Sequence, residues 1–205
     1  MATKTDRRRT QGERSAESAE RLRMALAELV IRQGYERTTA AEIGEHAGYS
    51  RAMVRERYGS KDALLFALHE DYAALLLGGE TEESGTGLEQ IMAGMDRLRA
   101  LAEANPTLLR AIFIVSFEGA AEGHVMRPVV SGWLEALGTR AEEWLGQGRR
   151  DRSVRKDVDV AEVVEQFLVE AIGMSYRWVL QPRSTDFGPA IERWRSRVAG
   201  EISAG

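Results

Sequence analysis

Cysteine is absent from this sequence of 205 residues. Its absence excludes disulfide bonds, thiol catalysis and cysteine-ligated zinc, and it fits a reducing compartment. The 3 histidines, His46, His69 and His124, are scattered along the chain without the short spacing of metal ligands. We therefore predict that the protein has no metal site.

Long apolar runs are also lacking. The longest, such as residues 73–77 and 112–115, are far shorter than the roughly 20 residues of a membrane-spanning helix. The charged residues 1–20 are not followed by an apolar segment, so they do not fit a signal peptide or a twin-arginine export signal. We expect a cytoplasmic protein with no membrane partner.

Sequence signatures of catalysis are missing as well. The stretch from Gly85 to Gly87 is too short for a phosphate-binding loop, and no serine nucleophile elbow is present. We predict no catalytic residues, no cofactor and no enzymatic activity.

Positive charge is concentrated in the amino-terminal third. Residues 1–61 contain 13 Lys and Arg against 9 Asp and Glu, whereas residues 62–205 contain 15 against 23. A basic part joined to an acidic remainder indicates that one end binds a polyanion. The same asymmetry also arises by chance in globular proteins, so a second observation is needed.

Helical periodicity runs through the chain, and convincing strand alternation is absent. Apolar residues recur at intervals of three and four from about residue 16 onward. Polar or glycine-containing breaks fall at residues 78–87, 146–157 and 182–189. Ser60 is predicted to cap the fourth helix, and a later helix is predicted from Val160 to about Leu180. The pattern predicts an all-α fold with a small amino-terminal unit and a larger helical remainder.

The second helix of the small unit has a clear beginning and end. Thr39 and Glu42 form the pattern of a capping box, which starts a helix. Ala47 is small enough for a close helix crossing, and Gly48 supplies a turn.

The third helix is short and basic. Ser50 can cap it, and it is predicted to run from Arg51 to about Arg57, with Val54 and Tyr58 facing inward. Two short helices joined by a glycine-containing turn are typical of a helix-turn-helix unit, whose second helix reads DNA in the major groove.

Residues 20–68 resemble the tetracycline-repressor-like (TetR) family of bacterial transcription regulators. The features that carry the resemblance are Gly34-Tyr35, Thr38-Thr39, Ile43, Ala47-Gly48, Ser50, Tyr58-Gly59-Ser60-Lys61 and Asp62-Ala63-Leu64-Leu65. The chain departs from the family pattern at Arg55, where a Tyr is usual, at Arg57, often a His, and at Ala52, commonly a Gly. The arginines at positions 55 and 57 can still bind phosphate through their charge.

The resemblance implies a domain organisation and a set of DNA contacts. Residues 1–15 would be a disordered basic arm, residues 16–61 a helix-turn-helix DNA-binding domain, and residues 62–205 a helical ligand-binding and dimerisation domain. The resemblance implies contacts with base edges for Arg51, Ala52 and Met53, which follow the predicted cap Ser50. Phosphate contacts are implied for Thr39, Arg55, Arg57 and Lys61.

For the larger domain, the resemblance implies an effector pocket and a homodimer interface. The expected pocket residues are Met92, Met95, Phe113, Phe117, Trp133, Phe167, Met174 and Trp178, with Glu118, His124, Glu170 and Tyr176 as possible polar contacts. The expected interface residues are Val163, Phe167, Ala171, Ile191, Trp194 and Val198. Apolar residues at helical spacing fit an ordinary core equally well.

The predicted function is a transcriptional regulator that binds a palindromic operator in double-stranded DNA as a homodimer. A small-molecule effector would release it, as expected of a repressor. The alternative is an all-helical protein–protein interaction module with a degenerate DNA-binding head, and the departures at Ala52 and Arg55 are its support.

Overall fold

The structure, a computed structural model, describes residues 10–78 and 85–204. These residues form nine α-helices and no strand. The helices are α1 (Gln11–Gln33), α2 (Ala40–His46), α3 (Met53–Tyr58), α4 (Lys61–Leu77), α5 (Gly87–Ala104), α6 (Pro106–Glu118), α7 (Arg127–Asp151), α8 (Val160–Leu180) and α9 (Phe187–Ile202).

The first helix starts earlier than its apolar pattern indicates. Thr10 accepts a hydrogen bond from the backbone N–H of Glu13, and the Glu13 carboxylate accepts one from Thr10 in return. This capping box satisfies two free donors, so the helix begins at Gln11 although residues 11–15 bury little apolar surface. The prediction of a disordered arm through residue 15 is therefore wrong for residues 10–15, and the predicted arm residues 1–9 lie outside the described part of the chain.

The head, which we define as α1 to α3, packs around one small core. Leu26, Ile43 and Val54, one from each helix, are fully buried together with Leu65 near the start of α4. The Thr39 capping box that was predicted from sequence is present, with the Glu42 N–H to Thr39 Oγ1 distance at 3.2 Å. Hydrogen bonds from Thr39 hold the pKa of Glu42 below its usual value, so the cap is ionised at neutral pH.

Helix α7 continues through a stretch that its glycines and charges suggested was a turn. It ends at Asp151, six residues beyond the predicted end at Leu145. Asp151 Oδ2 accepts the free N–H of Gly87 at 2.8 Å, and the Ser153 hydroxyl accepts that of Leu88 at 3.2 Å. The end of α7 therefore caps the beginning of α5, a long-range contact that local sequence does not reveal.

The larger part of the chain is a bundle of α5 to α9, with α4 between the bundle and the head. Helix α5 packs against both α7 and α9, and α8 against α6 and α7. Helix α9 starts at Phe187, so Pro189 lies in its first turn, where proline is tolerated, and not in the preceding loop. In the described part of the chain no single helix could cross a membrane, and the α5–α6 pair, which has sufficient length and apolarity together, is bent by 113°.

Candidate nucleic-acid interface and ligand cavity

A close backbone approach fixes the geometry of the helix-turn-helix. A Cβ atom on Gly44, in the middle of α2, would lie only 2.3 Å from the carbonyl oxygen of Ser50. Only glycine fits there, because backbone atoms cannot move aside as a side chain can. Gly48 adopts a positive φ of 80° within the turn, which confirms its predicted role. Gly44 was missed because a glycine inside a seven-residue helix gives no local sign of what it touches.

The turn is longer and the third helix shorter than predicted. Helix α3 begins at Met53, its N-cap residue is Ala52, and no side chain caps it. Ser50 instead accepts the Met53 N–H through its backbone carbonyl at 3.1 Å. The prediction of Ser50 as the helix cap is therefore wrong. Arg51 and Ala52, expected in the first helical turn, lie in the preceding loop and are exposed.

Two arginines of the turn and α3 face away from the protein. Arg51 has 74% of its side chain exposed and forms an ion pair with Glu45 at 3.3 Å. Such a surface pair is worth little, so DNA can displace it at small cost. Arg55 is exposed, and its guanidinium forms no ion pair or hydrogen bond with the residues that the structure describes. Both side chains are available to an anionic ligand.

Arg57 already has partners inside the head. Its guanidinium donates to the hydroxyls of Ser18 at 3.0 Å and Ser15 at 3.1 Å, both on α1. It also lies 5.7 Å from the centre of the Tyr58 ring. These contacts join α3 to α1, so the geometry favours a packing role for Arg57 over the phosphate contact expected from sequence.

Lys61 is held against Tyr35 at the beginning of α4. Its ammonium donates to the Tyr35 carbonyl at 3.0 Å and lies 3.8 Å from the centre of that ring. The Tyr35 hydroxyl donates to Asp62. Burial and this carboxylate raise the pKa of Tyr35 well above its usual range, so the hydroxyl remains a donor. The Ser60 side chain accepts the Ala63 N–H at 3.0 Å, as predicted for the cap of α4.

A cavity of about 430 Å³ lies among α4 to α9. Its volume falls within the roughly 300–1,000 Å³ of ordinary small-molecule sites. The wall is largely apolar and includes a group of aromatic side chains, namely Tyr72, Phe113, Phe117, Trp133, Trp144, Phe167 and Trp194. No group of three or more His, Asp and Glu that could hold a metal ion was found among the described residues.

Helix α4 belongs to both the head and the cavity. Leu64, Leu65 and Leu68, in its first half, are buried in the core. Further along, the cavity is lined by a run of residues at helical spacing, His69, Tyr72, Ala73 and Leu76. A molecule in the cavity therefore touches the helix that directly follows α3 in the chain.

Comparison with known proteins identifies the amino-terminal domain. Residues 23–68 match the sequence model of the bacterial regulatory proteins of the tetR family. This part of the chain is therefore a domain of the tetR family. The predictions of the family, of the all-α fold and of a DNA-binding regulator are thereby confirmed, and the interaction-module alternative is not favoured. A search of curated protein sequences found no match.

Solved structures share the fold of this chain over nearly its whole length. The complex of SmeT with triclosan has 18% identity and a TM-score of 0.74, covering 91% of each chain. SmeT is the repressor of the Stenotrophomonas maltophilia multidrug efflux pump SmeDEF. The MbdR regulator from Azoarcus sp. CIB has 17% identity and a TM-score of 0.72, covering 89% of this chain and 97% of its own. FadR from Bacillus subtilis in complex with stearoyl-CoA has 14% identity and a TM-score of 0.70, covering 89% and 98%.

The cavity contains only some of the expected pocket residues. Met95, Phe113, Phe117, Trp133 and Phe167 line it. Met92, Met174 and Trp178 are not part of its wall. Trp178 instead stacks on Phe187, the first residue of α9, with ring centres 4.5 Å apart.

The four expected polar contacts also lie elsewhere. Glu118 accepts a hydrogen bond from the Tyr35 backbone, and His124 lies against the Tyr35 ring at 6.1 Å. Glu170 pairs with Arg197 at 2.6 Å, and Tyr176 is exposed on α8. None of the four is in the cavity wall. His69, a polar residue that does line the cavity, was missed because a lone histidine carries no spacing signal.

The expected dimer residues face the interior of the chain. Ile191, Trp194 and Val198 are only 0%, 3% and 7% exposed, because the apolar stripe of α9 packs in the core, with α5 as its main neighbour. Phe167 and Ala171 line the cavity, and Val163 is half-buried against the core. Ile191, Trp194 and Val198 are thus core residues of the protomer, because the sequence pattern of α9 did not distinguish its inner face from its outer face. For the partly buried Val163, Phe167 and Ala171 the interface role stays a prediction.

A different stripe of α8 is apolar and exposed. It consists of Val169, Ile172, Tyr176 and Leu180, with exposures of 57%, 41%, 50% and 61%. Their spacing of three or four residues places them along one side of the helix. An exposed apolar stripe of this length marks an interaction surface.

Proposed function

We propose that this chain is a homodimeric transcriptional repressor that leaves a palindromic operator when a small molecule occupies its cavity. The observation that carries the proposal is the position of α4. Its beginning contacts the head through Lys61 and Asp62, and its middle forms one wall of the cavity through His69 and Tyr72. An effector that displaces α4 would shift the head without touching DNA.

Two copies are needed for operator recognition. One short α3 reads too few base pairs for specificity, whereas two heads related by a two-fold axis read a palindrome with half-sites about 34 Å or more apart. The α8 stripe from Val169 to Leu180 supports a self-complementary interface. The exposed side of α9 carries small residues, Ser196 and Gly200, next to Arg193, which allow a close approach of helices with a charged rim.

The proposed DNA contacts come from the turn and α3. Arg51 is positioned to bond a guanine edge, which would contribute about 1–3 kcal/mol of discrimination. Ala52 and Met53 would touch thymine methyl groups. Arg55 would bind phosphate, assisted by Thr39 and by the free N–H groups at the beginning of α4.

Effector release requires only a moderate coupling. A free energy of about 1–3 kcal/mol between the two sites changes DNA affinity by roughly 5- to 150-fold. As a DNA-binding protein that responds to a metabolite or a toxic compound, the chain would act in the cytoplasm and catalyse no reaction.

A footprinting experiment tests the proposal. The full-length protein is incubated with the DNA upstream of its own coding sequence, and protection is measured without any ligand. We expect a protected palindrome, and lower affinity for the same fragment with Arg51→Ala. Absence of protection on any fragment from the neighbouring transcription units would refute a repressor that controls adjacent genes.

A further inference from the structure

The cavity wall is almost uncharged. Of the lining side chains that the structure describes, Arg127 is the single one that carries a permanent charge, and it is exposed at the beginning of α7. Its guanidinium donates to the Ala120 carbonyl at 3.3 Å. No carboxylate lines the described wall, so a cation would lose its hydration without gaining an opposite charge.

His69 and Tyr72, neighbours on the α4 side of the wall, form no hydrogen bond with the residues that the structure describes. His69 is only 6% exposed, and neither ring nitrogen forms a hydrogen bond with the residues that the structure describes. The indole nitrogens of Trp133 and Trp194 are fully enclosed without a partner, whereas the His69 nitrogens are not among these enclosed atoms. His69 therefore retains an accessible polar edge at the empty volume.

The surroundings of His69 keep its ring neutral and fixed. The ring stands edge-on to Trp133, with centres 6.3 Å apart and an angle of 88° between the planes. Burial lowers the pKa of His69 below its usual value, against a smaller opposing effect of Glu70. A neutral imidazole has one N–H donor and one nitrogen acceptor. An unpaired buried polar group destabilises a fold, and its presence in a cavity points to a ligand that completes it.

We propose that the cavity binds an uncharged, largely aromatic molecule whose single hydroxyl or carbonyl group hydrogen-bonds to His69. The ring walls, Phe113, Phe117 and Trp133 among them, favour flat apolar groups. The proposal rests on the proposed function in one respect, since it identifies this molecule with the effector. Ligand binding by the cavity itself is independent of DNA.

Three probes of the same shape test the ligand class. They are 4-phenylphenol, biphenyl and biphenyl-4-carboxylate, and their affinities are measured by displacement of the uncharged dye N-phenyl-1-naphthylamine from the full-length protein. Wild type should bind the phenol about 3- to 10-fold more tightly than biphenyl, the range for one neutral hydrogen bond. The carboxylate should bind more weakly than the phenol.

Variants at His69 identify the partner of the hydroxyl. His69→Phe should bind both uncharged probes equally while keeping the wild-type affinity for biphenyl, and His69→Gln should keep part of the preference for the phenol. His46→Gln, which replaces an exposed histidine of α2, is the control and should behave as wild type. Thermal unfolding of each variant shows whether it is folded, and His69→Phe should be at least as stable as wild type.

Several outcomes overturn the proposal. If His69→Phe still binds the phenol more tightly than biphenyl, His69 is not the partner of the hydroxyl. If biphenyl-4-carboxylate binds most tightly of the three probes, the ligand is an anion that pairs with Arg127. Failure of all three probes and of the dye to bind rejects the uncharged aromatic class. Footprinting needs no ligand, so the two proposals can fail separately. If the protein protects DNA but binds none of the probes, only the ligand proposal is refuted. If the phenol binds more tightly than biphenyl as expected but no DNA is protected, only the repressor proposal is refuted.

Discussion

The backbone N–H of Tyr35 donates a hydrogen bond to Glu118 Oε2 at 3.2 Å, and this bond joins the head to the end of α6. On the other side of that helix end, Ser116 and Phe117 line the cavity. Tyr35 in turn contacts Lys61 and Asp62 at the beginning of α4. Helix α1 of the head also packs directly against α6. The bond is therefore part of a second connection between the cavity and the head, in addition to α4 itself.

Removal of the Glu118 carboxylate should weaken this link. In Glu118→Ala the buried Tyr35 N–H loses its acceptor, which should lower the free energy of unfolding by about 1–3 kcal/mol. We also expect 4-phenylphenol to reduce operator affinity less in this variant than in wild type. Urea denaturation and DNA titrations with and without the phenol measure the two effects. Glu122→Ala, an exposed position in the next loop, is the control, and equal behaviour of the two variants would show that the bond is unimportant.

Gly44→Ala should disrupt the helix-turn-helix. The new methyl group would meet the Ser50 carbonyl at 2.3 Å, so α2 and the turn must separate at a cost of about 1–3 kcal/mol. Operator affinity should fall together with thermal stability. The matched variant is Gly132→Ala in α7, where the added Cβ meets nothing within 4 Å; there the higher helix propensity of alanine should raise stability by up to about 1 kcal/mol. If Gly44→Ala bound the operator with wild-type affinity, the close contact between Gly44 and the Ser50 carbonyl would not be needed for DNA binding.

Arg55→Ala and Arg57→Ala should have different effects. Loss of the exposed Arg55 should weaken DNA binding and reduce the slope of log affinity against log salt by about 1 for each head. Loss of Arg57 removes its bonds to Ser15 and Ser18, so it should chiefly lower stability, by about 0.5–1.5 kcal/mol. Titrations at several salt concentrations, together with denaturation curves, separate the two. A reduced slope in Arg57→Ala would restore its predicted role as a phosphate contact.

Val169→Glu should produce a monomer. A charge in the centre of an apolar dimer interface is unfavourable, while in the monomer this position is 57% exposed and tolerates it. We expect a monomer by light scattering, weaker operator binding and an unchanged helix content. Leu75→Glu changes an exposed residue outside the stripe, and it should remain a dimer. An intact dimer in Val169→Glu would place the interface elsewhere.

His69 should make stability depend on pH. Its pKa is lowered in the folded protein relative to about 6.5 in the unfolded chain, so the unfolded state binds the proton first as pH falls. Wild type should therefore lose stability below about pH 6.5, by at most about 1.4 kcal/mol per pH unit, relative to His69→Phe. Denaturation of both proteins between pH 5 and 8 provides the comparison, and parallel curves would show that His69 does not contribute.

Local sequence patterns predicted the helices well where a cap or a periodic apolar stripe defined them. The Thr39 and Ser60 caps and the span of α8 agree with the sequence. Long-range partners account for the errors, because the capping of α5 by Asp151 extends α7, and the contact of Gly44 with Ser50 shapes the turn.

The two functional surfaces differed in how far the sequence could predict them. Arg51 and Arg55 were predicted as DNA contacts from a local motif, and they are exposed. The cavity and the outer face of α8 depend on which side of each helix is covered. Phe167 and Val169 are equally apolar, yet one lines the cavity and the other is exposed.

The shared position of α4 bears on the engineering of chimeras from this protein. If a foreign domain replaced everything from Lys61 onward, the Tyr35 hydroxyl would lose its acceptor Asp62. If the replacement began after Leu77, Asp62 would be kept, but the Tyr35 backbone N–H would still lose its acceptor Glu118. A foreign sensor domain therefore has to bring an acceptor for the Tyr35 backbone. Selection for new cavity ligands should change α7 and α8 first, since substitutions in α4 would also disturb its contacts with Tyr35 of the head.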